Sequence, residues 1–138
     1  NGGAFDGALL TSEEKTLRDF YKRLLNFTLN CNALKGNYID LHSYNRTMTA
    51  NYTNRLFSFA RSSADEKLVV IVNFDAQKSV DFDFQIPADV IKLWNLSDGR
   101  CILTDQLYGH RNMLTINNGV GVIPVVIKPL ESFIYCLE

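Results

Sequence analysis

Two acidic residues, Asp81 and Asp83, are the best-placed pair of ionisable side chains in this 138-residue sequence. They alternate with Val80, Phe82 and Phe84, so both carboxylates lie on the same side of one strand. Paired carboxylates can cleave a glycosidic bond or hold calcium, but glycoside hydrolysis needs an opposed partner about 5 to 10 Å away across a cleft. The favoured interpretation is therefore a solvated polar face that blocks pairing at the edge of a sheet.

The two histidines, His42 and His110, each lie beside a predicted loop. A base and nucleophile pair such as His110 with Ser97 would rest on composition alone, so exposed loop histidines are favoured. The sequence contains no GxSxG elbow, HExxH pair, Walker loop, GxGxxG turn or EF-hand loop. No catalytic residue, metal ligand or cofactor-binding residue is predicted, and no cofactor.

Four aromatic residues are candidates for carbohydrate contact, because sugar rings stack on flat aromatic faces. They are Trp94, Tyr108, Tyr44 and Tyr52. For Trp94 the favoured alternative is a helix residue packed on the sheet. For the loop tyrosines the two interpretations are balanced.

Composition excludes several function classes. The net charge is −1, the pI is about 6.1 and no lysine or arginine cluster is present, which argues against nucleic acid as a partner. No apolar run reaches the length of about 18 residues that a membrane span needs, and no signal-peptide profile occurs. Cys31, Cys101 and Cys136 share no short spacing, so buried thiols are favoured over disulfides or a zinc site.

The segment from Leu68 to Ile86 is predicted to be the centre of the fold. Its first half, LVVIVNF, is a run dominated by β-branched residues, which is typical of a strand buried on both faces. Its second half, VDFDFQI, alternates apolar and polar residues. Because about five residues separate the two strands, we expect an antiparallel hairpin.

An amphipathic helix is predicted before this segment, from Thr11 to Phe27. Thr11 and Glu14 have the spacing of a capping box. An apolar stripe follows at helical spacing, formed by Leu17, Phe20, Tyr21, Leu24 and Leu25. A single helix of this length is marginal alone, so the stripe is expected to pack on another body.

The remaining segments predict short strands joined by turns. Strands are expected at 38–41, 55–61, 100–106, 113–117, 120–127 and 132–137, a short helix at 87–95, and a long polar loop at 42–54. Asn118-Gly119 predicts a hairpin, and Pro124 predicts a sheet edge or a bulge. The fold class predicted is mainly β, a two-sheet sandwich of seven to eight antiparallel strands with an N-terminal α-helix.

Four Asn-x-Ser/Thr sequons occur, at Asn26, Asn45, Asn51 and Asn95. In a secreted eukaryotic protein they would mark glycans. Because the chain is rich in Asn, Thr and Ser, chance occurrence is the favoured interpretation.

Three stretches resemble, in order, the end of the α-amylase family of glycoside hydrolases. They are LRDFYKRLLNF, preceded by Phe5-Asp6-Gly7; LFSFAR followed by EKLVVIVNF; and LTDQLYGH. In that family a (β/α)8 barrel precedes a C-terminal Greek-key β-sandwich. The resemblance implies that residues 1–33 are a loop and the last barrel helix, and that residues 34–138 are the sandwich. The chain is accordingly interpreted as a piece of a longer protein.

The resemblance implies a non-catalytic accessory domain, because the family's catalytic carboxylates stand on barrel strands that precede these stretches. The implied partners are the barrel of the same chain and a starch-like glucan, with no nucleic acid and no membrane. The expected role is to stabilise the barrel and to assist glucan binding. A secreted, periplasmic or cell-surface parent enzyme is favoured over a cytoplasmic one. The alternative is an autonomous carbohydrate-binding module of β-sandwich type.

Overall fold

The computed structural model describes residues 2–4 and 6–138. Asn1 and Phe5 lie outside the described residues, and so does the part of the Phe5-Asp6-Gly7 likeness that rests on Phe5. The chain divides into two compact units, one ending at Asn30 and the other comprising Cys31–Glu138.

The first unit contains helix α1, Ser12–Asn30. The predicted capping box is confirmed, because the Glu14 N–H donates to Thr11 Oγ1 at 3.2 Å and the Thr11 N–H donates to Glu14 Oε2 at 2.8 Å. The helix continues three residues past the predicted end. No residue of α1 is buried, and Leu17, Tyr21 and Leu25 are 56%, 52% and 59% exposed.

The second unit is built from eight strands with short helices between them. Its helices are the 3-10 turn Asn32–Lys35, α2 (His42–Met48) and α3 (Ala88–Leu93). Its strands are β1 (Asn37–Asp40), β2 (Leu56–Ser62), β3 (Lys67–Asn73), β4 (Val80–Ile86), β5 (Gly99–Asp105), β6 (Arg111–Asn117), β7 (Val120–Ile127) and β8 (Ser132–Leu137).

All eight strands form one antiparallel sheet in the order β1-β2-β3-β8-β5-β6-β7-β4. The sheet curls, so both of its halves contribute to one core. Core residues on β2 and β3 include Leu56, Ala60, Val69 and Ile71, and those on β4, β6 and β7 include Phe82, Phe84, Ile116, Ile123 and Val125. Strands β5, β6 and β7 are neighbours and β4 lies beside β7, which is a Greek-key order. The predicted fold class, mainly β with antiparallel strands in a sandwich-like domain, is confirmed, although the strands form one curled sheet where two sheets were predicted.

The predicted hairpin between β3 and β4 is wrong. Strand β3 lies between β2 and β8, whereas β4 pairs with β7, from Val80 opposite Ile127 to Ile86 opposite Gly121. The predicted burial is confirmed, since Val69, Val70 and Ile71 are buried and the residues of β4 alternate between buried and more exposed positions. The short connection instead carries the chain from one half of the sheet to the other.

Asn73 holds this crossing together from the end of β3, where it is 1% exposed. Its Nδ2 donates to the carbonyls of Lys78 and Lys128, both at 2.9 Å, and its Oδ1 accepts from the Asp75 N–H at 2.9 Å. One amide side chain therefore satisfies backbone groups of two separate loops.

The predicted polar loop at 42–54 is partly wrong, because it begins with helix α2. The Asp40 carboxylate accepts the N–H of His42 at 2.9 Å and of Ser43 at 3.3 Å, which starts the helix. The hydrogen bond from the Ser43 hydroxyl is the main cause that lowers the pKa of Asp40. Asp40, the last residue of β1, thus fixes the first turn of α2. The helix predicted at 87–95 is confirmed as α3.

The Asn118-Gly119 hairpin between β6 and β7 is confirmed. Both residues have positive φ, 51° and 74°, as a type I′ turn requires. The carboxylate of Asp98 accepts both of their N–H groups at 2.9 Å.

Pro124 lies in an internal strand, so the predicted edge is correct only locally. Strand β7 pairs with β4 along its length, but its pairing with β6 ends at Val122. Beyond that point Asn112 Nδ2 donates to the Pro124 carbonyl at 2.8 Å. The missing proline N–H therefore falls where no strand faces it.

No helix in the described part of the chain is both long and apolar enough to cross a membrane. The cysteines are free thiols, with Cys31 buried and Cys101 and Cys136 half-buried.

Asp105 joins the end of β5 to β8 and is 1% exposed. Its carboxylate accepts three backbone N–H groups, from Tyr108 at 2.7 Å, Ile134 at 2.9 Å and Leu107 at 3.3 Å. This residue lies in LTDQLYGH, one of the stretches that carry the family resemblance. The stretch therefore has a structural role in this chain, because Asp105 binds the turn after β5 to β8.

We predict that Asp105→Ala lowers the free energy of unfolding by about 3 kcal/mol, because it leaves buried N–H groups without an acceptor. Urea unfolding monitored by circular dichroism measures the change. Asp65→Ala, at an exposed turn position, is the control and should change the value by less than about 0.5 kcal/mol. Equal effects of the two substitutions would contradict the structural role of Asp105.

Candidate functional site

The outward side of β1 and β2, with the adjoining start of α2, carries a cluster of rings that we call the aromatic face: Tyr38, His42, Phe57 and Phe59. Tyr38 stacks on Phe59 with ring centroids 5.5 Å apart and planes 26° apart. Phe57 lies 6.0 Å from Phe59 and 5.3 Å from His42. Tyr38 is 53% and Phe57 36% exposed, so this apolar surface is open to solvent.

The aromatic face arises from an inverted pattern on β2. Ser58 and Ser62 lie inward and are 0% and 5% exposed, whereas the two phenylalanines beside Ser58 lie outward. On β3, Val72 and Val70 stand opposite Phe57 and Phe59, which continues the apolar surface. A strand that buries serine and exposes phenylalanine is informative, because isolated domains rarely leave large apolar patches uncovered.

Tyr52 connects the aromatic face to the core. Its hydroxyl shares a hydrogen bond of 2.8 Å with Ser58 and one of 3.1 Å with His42 Nδ1. Its ring packs edge-on against Phe82, with centroids 5.7 Å apart. Burial raises the pKa of Tyr52 to about 12. These contacts hold His42 in place, so one end of the aromatic face is preorganised.

The structure does not bring the four predicted carbohydrate-contact residues together. Trp94 and Tyr52 belong to the core and are 4% and 8% exposed, so neither ring offers a free face for stacking. Trp94 thus occupies the position of a packed helix residue. Tyr44 is half-buried on α2, and Tyr108 is 48% exposed with its ring centroid 6.1 Å from that of His110. Carbohydrate contact stays a prediction for Tyr44 and Tyr108.

Sequence reasoning missed Tyr38 and Phe59 as candidates for function. The available signal was the spacing of Phe57 and Phe59 around Ser58, which places both rings on one side of a strand. Which side that was depended on what β2 packs against, because its inward side meets Tyr52 and the rest of the core.

The acidic pair, Asp81 and Asp83, is exposed on β4, which is an edge strand of the sheet. This is the placement expected of a solvated polar face. The part of the chain that the structure describes contains no group of three or more His, Cys, Asp or Glu residues that could hold a metal ion.

Of the four sequons, Asn45 cannot carry a glycan in the folded protein. It is 0% exposed, and its Nδ2 donates to the carbonyls of Leu41 and Gln85, both at 2.9 Å. Asn26, Asn51 and Asn95 are exposed.

Comparison with known proteins gives a likeness of fold. No protein-family model and no curated protein matches the sequence. A solved structure that does match is that of an AmyP variant in complex with maltotriose, with a TM-score of 0.60 and 18% sequence identity. The match covers 94% of this chain and 22% of the AmyP chain. This chain therefore spans less than a quarter of that protein's length and shares its fold there.

We predict that Tyr52→Phe weakens the pH dependence of stability in alkali. An unfolded tyrosine ionises near its ordinary pKa of 10, whereas Tyr52 in the folded protein ionises at about 12. Its contribution to stability is thus complete below about pH 10 and declines as the pH rises towards 12. At neutral pH the variant should be less stable by about 1 kcal/mol, because Ser58 and His42 lose a partner.

Urea unfolding across this alkaline range measures both effects. The wild-type free energy of unfolding should fall more steeply than that of Tyr52→Phe. Parallel curves for the two proteins would contradict the assignment.

Proposed function

We propose that this chain is a non-catalytic domain of an α-amylase-like glycoside hydrolase, and that its aromatic face packs against the catalytic barrel of the same enzyme. The observation that carries the proposal is the exposure of Tyr38 on β1 and of Phe57 on β2, a strand that buries Ser58 and Ser62. Such an arrangement suits a surface that is covered in a longer protein.

The likeness to AmyP supports the enzyme context. The AmyP structure holds maltotriose, and the matched region is a minor part of the AmyP chain. Two of the three stretches that resemble the α-amylase family correspond to structural features of this chain. One contains Asp105 and the turn that it binds, and the other forms strands β2 and β3. The fold likeness and the sequence resemblance thus both favour a domain of an α-amylase-like enzyme.

The chemistry of the aromatic face favours a protein partner over a sugar. Phe57 and Phe59 have no hydrogen-bonding group, whereas sugar sites combine flat rings with polar side chains that reach hydroxyls. The rings are also tilted, with 49° between the planes of Phe57 and Phe59, so they form no planar row. Burial of apolar area contributes about 25 cal/mol per Å², and a patch of this kind would stabilise a contact between domains.

Helix α1 supports the same proposal independently. Leu17, Tyr21 and Leu25 of its apolar stripe are exposed, and so is Leu29 one turn further along the helix. In the family that the sequence resembles, the corresponding helix belongs to the barrel, where such a stripe would be buried.

No group on the domain is assigned a catalytic role. Asp81 and Asp83 stand on one strand, and the cavity that both of them line has no other carboxylate among its lining residues. The domain would act by stabilising the barrel and by holding a glucan near it.

A second candidate function is an autonomous carbohydrate-binding module. The exposed ring of Tyr108 beside His110 favours it, since Asp105 fixes the Tyr108 backbone and so preorganises the turn. Retardation of the isolated chain in a starch-containing gel, lost in Tyr108→Ala, would support the module over the accessory domain.

We expect the isolated chain to hydrolyse no starch, measured by release of reducing sugar. The reason is that the catalytic carboxylates would stand on the barrel. Measurable turnover of an α-glucan would contradict the non-catalytic assignment.

In the full-length enzyme, Phe57→Ser should lower the melting temperature of the barrel by several degrees, because it removes an apolar contact between the domains. Met113→Ser on β6 is the matched control, since Met113 is 37% exposed and Phe57 36%. In the isolated chain both substitutions should have small effects. Equal shifts for the two variants in the full-length enzyme would contradict docking through the aromatic face.

A further inference from the structure

A cavity of about 370 Å³ lies where the end of α3 meets the turn between β2 and β3. Leu93, Trp94 and Asn95 line it from the end of α3, and Ser62 and Lys67 are among the residues that line it from the hairpin. We call it the Trp94 cavity. Its volume is within the range of small-molecule sites, roughly 300 to 1,000 Å³.

Gly36 forms another wall of the Trp94 cavity, where the segment before β1 passes the hairpin turn. A Cβ atom at this position would clash with the backbone carbonyl of Ser62 and would lie 3.0 Å from the backbone nitrogen of Ser63. Any larger residue would therefore push the two segments apart. The cavity is built by a close approach of two backbones that glycine permits.

The indole N–H of Trp94 is an unsatisfied donor at this cavity. It is buried and has no hydrogen-bond acceptor in the part of the chain that the structure describes. The residue as a whole is 4% exposed. Buried tryptophan N–H groups usually have a partner, and each buried group without one needs an explanation, such as a bound water or ion. Because Trp94 lines a cavity, we expect the acceptor to come from a molecule inside it.

Lys67 brings a second donor to the same cavity. It stands opposite Ser62 in the pairing of β2 with β3, and residues directly opposite each other share one side of the sheet. Ser62 is 5% exposed and lies inward, so the half-buried Lys67 side chain also starts on the inner side. Its ammonium donates to the Ala64 carbonyl at a long 3.4 Å and makes no ion pair with a carboxylate of the described residues. A partly buried ammonium without a counter-ion favours an anion.

The groups around the Trp94 cavity select a carboxylate among ligands. No Asp or Glu is found among the described residues that line it, so no lining side chain repels an anion. One N–H and one ammonium match the two oxygens of a carboxylate, whereas a phosphate is typically held by several backbone N–H groups or by arginine. The side chain of Leu93, which is 59% exposed, and the methyl group of Ala64 suit a short hydrocarbon chain.

We propose that the Trp94 cavity binds a small carboxylate with a short apolar chain, whose oxygens accept from the Trp94 indole N–H and the Lys67 ammonium. None of the described lining residues belongs to the aromatic face, so this inference goes beyond the proposed function and does not rest on it. A carboxylate side chain of a catalytic barrel would use the same chemistry, and the experiment below separates the two sources.

Titration of the isolated chain with sodium butyrate at constant ionic strength, followed by NMR, tests the proposal. The sequence has a single tryptophan, so the indole N–H gives one resonance that reports on the site directly. The expected result is a saturable downfield shift of the indole proton. Butyramide, which has a similar shape and no charge, should bind at least about tenfold more weakly, because the bonds to a charged acceptor are lost.

Two pairs of variants locate the site. Lys67→Gln removes the charge and should weaken the Kd for butyrate by about tenfold, and Lys78→Gln, at an exposed lysine outside the cavity, should leave it within about twofold. Ala64→Glu places a carboxylate at the cavity and should prevent butyrate binding, whereas Ala76→Glu, at another exposed position, should not. Unfolding midpoints verify that each variant folds.

Three outcomes would overturn the proposal. One is no shift of the Trp94 indole proton up to about 50 mM butyrate, where a site with a millimolar Kd is nearly saturated. Another is equal affinity for butyrate and butyramide, or an unchanged Kd in Lys67→Gln. The third is magnetisation transfer from a bound water to the indole proton without any response to butyrate, which would make the cavity a water site.

The same titration of the full-length enzyme decides the source of the carboxylate. Butyrate binding to both proteins supports a free carboxylate as the ligand. Binding to the isolated chain alone supports a carboxylate side chain of the barrel as the occupant. Docking through the aromatic face is tested separately, by Phe57→Ser.

Discussion

Buried backbone groups must be hydrogen-bonded, and this requirement controls how the curled sheet closes. Where the chain leaves a strand inside the molecule, a side chain replaces the missing neighbour. Asn73 does so at the crossing from β3 to β4, Asp105 at the turn after β5, and Asn45 at the free edge of β4. Each is at most 1% exposed, and each binds segments that are far apart in sequence. Without them, the ends of the sheet would expose unpaired amides to an apolar core.

The same requirement explains the polar composition of the segment between β1 and β2. Its Asn, Ser and Thr residues were predicted to form a loop, yet Asp40 starts α2 and Asn45 reaches across to Gln85. The segment therefore acts as a cover for the β4 edge.

The aromatic face follows from the other side of the sheet. The inner side of β2 lies near Tyr52, whose ring and hydroxyl need space and a partner, and Ser58 supplies both. The phenylalanines consequently lie outward, together with Tyr38. An internal hydrogen bond in the core is thus coupled to an exposed apolar surface. The aromatic face is therefore a consequence of how the core is packed, and it is also a candidate docking surface.

Local patterns in the sequence determined the elements of this protein. The capping box at Thr11, the alternation on β4 and the Asn118-Gly119 turn each act over a few residues, and all three predictions were confirmed. The apolar pattern also predicted which residues of β3 and β4 are buried. The pairing of β4 with β7, the outward direction of Phe57 and the burial of Asn45 were decided only by the tertiary structure. The physical reason is that the partners of β4 and Asn45 lie far away in the sequence: β4 pairs with residues 35 to 47 positions away, Asn45 binds a residue 40 positions away, and no local period records such contacts.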